Sequence, residues 1–190
     1  MTVIVGLVSD NKVYIGADSA IECNGTQRIS VEPKVFIRHG MLFGSTGDMR
    51  TPQLIQHVMT LREKNYLETT YQYMHNVFIV ALRECLYKNG AIERLNGKDR
   101  MYSTLMVGYE GSLFTVYNDF AVVESVPGYD AIGSGEQFAL GSLFTTSNKA
   151  EVLQDGAKMQ YNPTTRVMLA LEAAAINNSF VTPPYKVLNI

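Results

Sequence analysis

Two β-rich runs near the start of the chain, TVIVGLV at 2–8 and VYIGAD at 13–18, flank Ser9-Asp10-Asn11-Lys12, a hairpin-turn sequence. A turn centred between Asp10 and Asn11 sets Thr2 opposite Asp18 or Ser19, and directly opposed Cβ atoms in an antiparallel pair lie about 5 Å apart. A second hairpin, KVFIR at 34–38 and MLFGS at 41–45, turns at His39-Gly40 and sets Lys34 opposite Gly44 or Ser45. Its open end runs into the turn GSTGD at 44–48. A hydroxyl, a carboxylate and an ammonium therefore sit at the open ends of two hairpins. A threonine hydroxyl is a poor nucleophile until a base takes its proton, and a free α-amine, with a pKa of about 8, can be that base. Thr2 gains such an amine only after Met1 is removed, and threonine is small enough for routine removal by methionine aminopeptidase.

Each residue also has a plainer reading. Thr2 suits a strand as a β-former, Asp18 a strand end, Lys34 a solvated edge, and Gly44 and Gly47 a tight turn. Ser134-Gly135-Glu136-Gln137 is a capping-box pattern that opens a helix. His39, His57 and His75 have no partners at ligand spacing and read as structural or surface residues.

The elements that must position these groups follow from pattern. Apolar residues on both faces of run 2–8 predict a strand buried on both sides. A helix is predicted over 52–64 from Pro52 with Leu54, Ile55, Val58 and Leu61, and another over 70–88, stopped by Asn89-Gly90. A polar loop ends near Arg100. Strands STLMVGY and SLFTVYN then flank Glu110-Gly111, and FAVVESV leads to the turn at Pro127-Gly128. Residues 134–147 and the stretch from Pro163 through LALEAAA read as helices, and YKVLNI as a closing strand. Strands and helices segregated in this order predict an α+β layered sandwich, with one domain spanning 1–190.

Hydrophobic residues make up 46% and charged residues 18%, enough for a sizeable core and too apolar for disorder. The formal net charge of −2 and the lack of a basic run argue against a nucleic-acid or membrane-surface partner. No secretory leader or membrane span is read, and Cys23 and Cys85 lack metal-ligand spacing; both fit buried thiols in a reducing, cytoplasmic setting.

Thr2, Asp18 within YIGADS, and Lys34, equally spaced in sequence, resemble the Thr, Asp and Lys of proteasome β subunits and the HslV peptidase, members of the N-terminal-nucleophile (Ntn) hydrolases. GSTGD at 44–48 is similar to the family's Gly-Gly-Thr-Ala-Asp segment, which implies that Gly44 is the oxyanion-hole glycine. IGSGEQFALGSL at 132–143 is similar to its Gly-Ser-Gly-x-x-x-Ala-x-Gly stretch, which implies that Ser134 is the serine beside the nucleophile. The resemblance implies a four-layer α-β-β-α sandwich, a threonine-type peptidase acting on peptide or unfolded protein, no cofactor or metal, and a homo-oligomeric ring, possible partner of an unfolding ATPase. Asn178 and Val181 depart from it, standing where proteasome β subunits carry an Asp and a Ser. Two rival readings share the fold: an amidohydrolase for a small amide, and an inactive ring-forming scaffold, which Asn178, Val181 and a retained Met1 would favour.

Overall fold

In a computed structural model, residues 2–23, 25–147 and 161–190 are described; Met1 and the side chain of Cys23 lie outside them. Strands β1 (Val3–Ser9) and β2 (Lys12–Ala17) form the first hairpin, with Asp10 and Asn11 both at positive φ (51° and 59°). Two consecutive left-handed residues make the turn whose twist matches the flanking strands. Short ribbon β3 (Ala20–Cys23) and β4 (Thr26–Ile29) follows, then hairpin β5 (Val35–Arg38) and β6 (Met41–Gly47). Helix α1 covers Arg50–His57. Next come α2 (Thr70–Tyr73), a π-helical turn (Met74–Phe78) and α3 (Ile79–Lys88), one run over the predicted 70–88, opened by a capping box between Thr69 and Gln72. The polar loop before Arg100 contains a second ribbon, β7 (Glu93–Leu95) and β8 (Lys98–Arg100). Then follow β9 (Ser103–Tyr109), β10 (Ser112–Val116), β11 (Val122–Glu124), β12 (Tyr129–Gly133), α4 (Glu136–Thr145), α5 (Pro163–Asn177) and β13 (Lys186–Asn189).

The main strands form a four-stranded sheet, β12-β1-β2-β13, and a five-stranded sheet, β11-β10-β9-β6-β5. Side-chain alternation sorts the core into three slabs. Ile4, Val13 and Ile15 meet Val35, Leu42, Met106 and Leu113 between the sheets. On the outer face of the five-stranded sheet, Phe43, Val107 and Phe114 pack on Leu54 and Ile55 of α1, Phe78 of the π-helical turn and Leu82 of α3. Val3, Val5 and Leu7, on the other face of β1, pack on Ala139 and Leu143 of α4 and Val167, Ala170, Leu171 and Ala174 of α5. The result is the expected α-β-β-α sandwich. Gly44 serves this packing: a Cβ there would lie 2.4 Å from Ile4 Cγ2, so its bareness lets the sheets close.

Three expectations need correction. Helix 52–64 ends at His57, because Val58 (φ −123°) leaves the helical region, although Leu61 still packs on the core. Helix 134–147 begins at Glu136, and its N-cap is Gly135 with no side-chain cap bond, so Ser134 forms no capping box. Strands β3, β4, β7, β8 and β12 were not expected. Among the described residues, no helix is long and apolar enough to cross a membrane. Cys85 is a buried free thiol.

Candidate active site

The register of the first hairpin pairs Ile4 with Ala17, which carries Val3 opposite Asp18 and Thr2 opposite Ser19. Asp18 is anchored by backbone amides: Val3 N–H donates to Oδ1 at 3.1 Å and Ala20 N–H to Oδ2 at 3.0 Å. The second hairpin pairs Val35 with Gly44, and Ser45 N–H donates to the Lys34 carbonyl at 3.2 Å, so Ser45 is the residue opposite Lys34. The Lys34 ammonium donates to Thr2 Oγ1 at 2.6 Å and to both Asp18 oxygens at 3.0 Å. All three ammonium protons have acceptors. Thr2, Asp18 and Lys34 are only 8%, 1% and 5% exposed, so this is a buried ion pair with a hydroxyl bonded to it.

Burial lowers the Lys34 pKa below its ordinary 10.5, and the Asp18 charge and hydrogen bond oppose the shift. Between that lowered value and 10.5 the unfolded chain holds more protons than the folded one, so the Lys34 contribution makes stability rise with pH there. The Asp18→Asn/Lys34→Met double variant should lack this rise. Denaturant midpoints compared from neutral pH up to about 10 would test it; equal slopes in both proteins would contradict it.

The neighbouring strand β12 and the turn after it grip the backbone of Thr2. Ser134 N–H donates to the Thr2 carbonyl at 2.9 Å and its Oγ lies 3.4 Å from the same oxygen. Gly133 sits at φ +101°, and a Cβ there would lie 2.2 Å from the Thr2 carbonyl oxygen. This close approach requires glycine. Asn178, just past α5, donates from Nδ2 to the Ser134 carbonyl at 2.8 Å and accepts Phe180 N–H at 3.0 Å. It fixes the Ser134 turn through a donor that an aspartate lacks. Val181 is 3% exposed and packs in the core against β1, α4 and α5.

Gly44 is not brought to the site. N–H directions alternate along a strand, and Ser45 N–H points to Lys34. Gly44 and Thr46 therefore point their amides into β9, while Gly47 aims its N–H to the Lys34 side, where β5 has ended. Gly47 lines the cavity beside Thr2 and Lys34; Gly44 does not. The parity of the second hairpin carried this signal, once Ser45 rather than Gly44 is set opposite Lys34. Gly47 adopts φ +96°, and a Cβ there would lie 2.2 Å from the Tyr102 carbonyl oxygen.

No protein-family model and no curated protein sequence matches the chain significantly. Solved structures do. BPH from Thiobacillus denitrificans, in complex with epoxomicin, superposes with a TM-score of 0.76 at 16% identity, covering 100% of this chain and 98% of that one. HslV from Trypanosoma brucei gives 0.64 at 16% identity, over 99% and 98% of the two chains. A Gly-1 mutant of Anbu from Hyphomicrobium sp. strain MC1 gives 0.66 at 14% identity, over 98% and 81%. This is the proteasome-like Ntn hydrolase fold. In this Ntn fold the Thr2–Asp18–Lys34 cluster lies at the joined ends of both sheets, where β1, β2 and β5 and the β12–α4 turn converge.

Proposed function

We propose that the chain is a threonine-type peptidase whose nucleophile is Thr2, exposed by removal of Met1. The observation that supports it best is the buried Lys34 ammonium, 2.6 Å from Thr2 Oγ1 and held by both oxygens of Asp18. In this reading the free Thr2 amine takes the Oγ proton and Oγ attacks a peptide carbonyl. Lys34 lowers the pKa of both groups by its charge. Gly47 N–H donates to the oxyanion, a contribution of about 3 kcal/mol to transition-state stabilisation. The amine returns the proton to the departing nitrogen, leaving an acyl ester on Thr2. Water, activated by the same amine, then releases the acid and restores the hydroxyl. Ser134 and Asn178 hold the Thr2 carbonyl in position.

The substrate is a peptide or unfolded protein, and the domain spans 1–190. The working form is a cytoplasmic homo-oligomeric ring, for which an unfolding ATPase is the natural feeder. Intact-mass spectrometry should find purified protein without Met1, and that form should cleave members of a broad peptide library. The Thr2→Ala protein should cleave none. If Met1-free wild type cleaves none either, the inactive scaffold becomes the better reading; buried Val181, where the family has a serine, favours that alternative.

Asn178→Asp separates the two views of this departure. Were a missing charge limiting, the aspartate would speed turnover. The hydrogen bonds predict the reverse. An ionised carboxylate cannot donate to the Ser134 carbonyl, so turnover should fall by about tenfold, the loss of one hydrogen bond at about 1.4 kcal/mol. Steady-state cleavage rates decide between them.

A further inference from the structure

The cavity beside Thr2 extends away from the nucleophile between the β3 strand, the segment before β5 and the start of α1. Its lining carries three carboxylates: Glu22 and Glu32, both on exposed residues, and half-buried Asp48, which accepts the Ser103 hydroxyl at 2.6 Å and Thr51 N–H at 3.4 Å. Among the described residues none of the three has an ion-pair partner. Glu22 accepts Gly25 N–H at 2.5 Å and Glu32 accepts the Gln53 side-chain amide at 3.0 Å, bonds that orient the carboxylates without neutralising them. Lys34, a cation of the lining, is matched by Asp18. The remaining charge of the lining is therefore negative.

Ser45 supplies an independent sign of a ligand. It is 6% exposed, it lines the cavity, and its Oγ has no hydrogen-bond partner. Opposed residues of an antiparallel pair share a face, so Ser45 stands on the face from which Lys34 reaches Thr2. A buried hydroxyl without a partner is costly unless something that enters the cavity bonds to it. An anionic visitor would be repelled at the rim. A cationic donor satisfies the hydroxyl and the carboxylates together, and Ile21, Pro33 and Met49 offer an apolar wall for a methylene stem.

We propose that this cavity takes a basic side chain, lysine or arginine, from the residue whose carbonyl is attacked. The assignment to that residue rests on the reading of Thr2 as nucleophile and Gly47 as oxyanion donor, since both act on the scissile carbonyl and both line the cavity.

The test uses Met1-free full-length protein and four peptide epoxyketones that differ only in the terminal residue: arginine, lysine, leucine or glutamate. Arginine and lysine probes should label about tenfold faster than leucine, and glutamate slowest. In the Glu22→Gln/Glu32→Gln variant the arginine-to-leucine ratio should fall markedly toward one, Asp48 being the carboxylate left in the lining; both substituted positions are exposed, so the fold is not at stake. In parallel, p-aminobenzamidine fluorescence should report binding to the Thr2→Ala protein, weakened in the same protein carrying the two glutamines. Leucine labelling as fast as arginine overturns the proposal while leaving Thr2 as nucleophile. Carboxylate-dependent binding without any labelling upholds the basic pocket and sinks the nucleophile. No labelling together with no carboxylate-dependent binding overturns the pocket as well.

Discussion

Replacing Asp18 by alanine should destabilise the folded protein by about 3–5 kcal/mol, because it leaves the Lys34 ammonium buried without its counter-charge. Asp18 is 1% exposed and binds Lys34 through both oxygens, while accepting the amides of Val3 and Ala20. The substitution therefore strands a cation and two backbone donors at once. Denaturant unfolding should show a lower midpoint at unchanged slope. The Asp18→Ala/Lys34→Met double variant should recover part of the loss, since removing both partners is gentler than stranding one. A double variant no more stable than Asp18→Ala would mean that the lost amide acceptors, and not the stranded charge, dominate.

Lys34→Met should slow acylation of Thr2 by about 10²–10³-fold, the range seen when a preorganised electrostatic contact to the reacting atoms is removed. The methionine keeps most of the stem but gives Thr2 Oγ1 no donor. Lys34→Arg should not restore the rate, since a planar guanidinium does not reproduce a compact ammonium serving one hydroxyl and one carboxylate. Rates from single-turnover labelling check both. A Lys34→Met protein that labels at the wild-type rate would reduce Lys34 to a structural partner of Asp18.

The cluster itself was readable because it hangs on two tight hairpins. Turn chemistry at Asp10-Asn11 and His39-Gly40 sets register, and register sets which residues meet. The three-slab core was readable for a related reason: β1 is apolar on both faces, so layers had to cover both. What turn position left open was a single residue of register, Gly44 or Ser45 opposite Lys34. The resemblance of GSTGD to a family segment pointed to Gly44, whereas Ser45 opposite Lys34 leaves the Gly47 N–H, not that of Gly44, aimed to the Lys34 side, because parity reverses with each residue. Strand β12 escaped notice since Tyr129–Gly133 buries only Ala131 and Ile132, too few for an alternation. The ribbons β3-β4 and β7-β8 are held by backbone pairing of largely exposed residues, which leaves no hydrophobic pattern to read. Ser134 fitted a capping box by residue type, but its N–H and hydroxyl turn to the Thr2 carbonyl, a contact across the sheet that no local pattern encodes.

The reading of Thr2 as nucleophile is tested most directly by an epoxyketone carrying a basic terminal residue, followed by intact-mass and peptide mass spectrometry. This warhead closes a ring through both a hydroxyl and its adjacent free amine, so an adduct reports the two groups together. Met1-free wild-type protein should gain one reagent mass, mapped to Thr2, and the Thr2→Ala protein should gain none. A Met1-free, folded wild-type chain that stays unlabelled, or carries the adduct at another residue, would contradict the account.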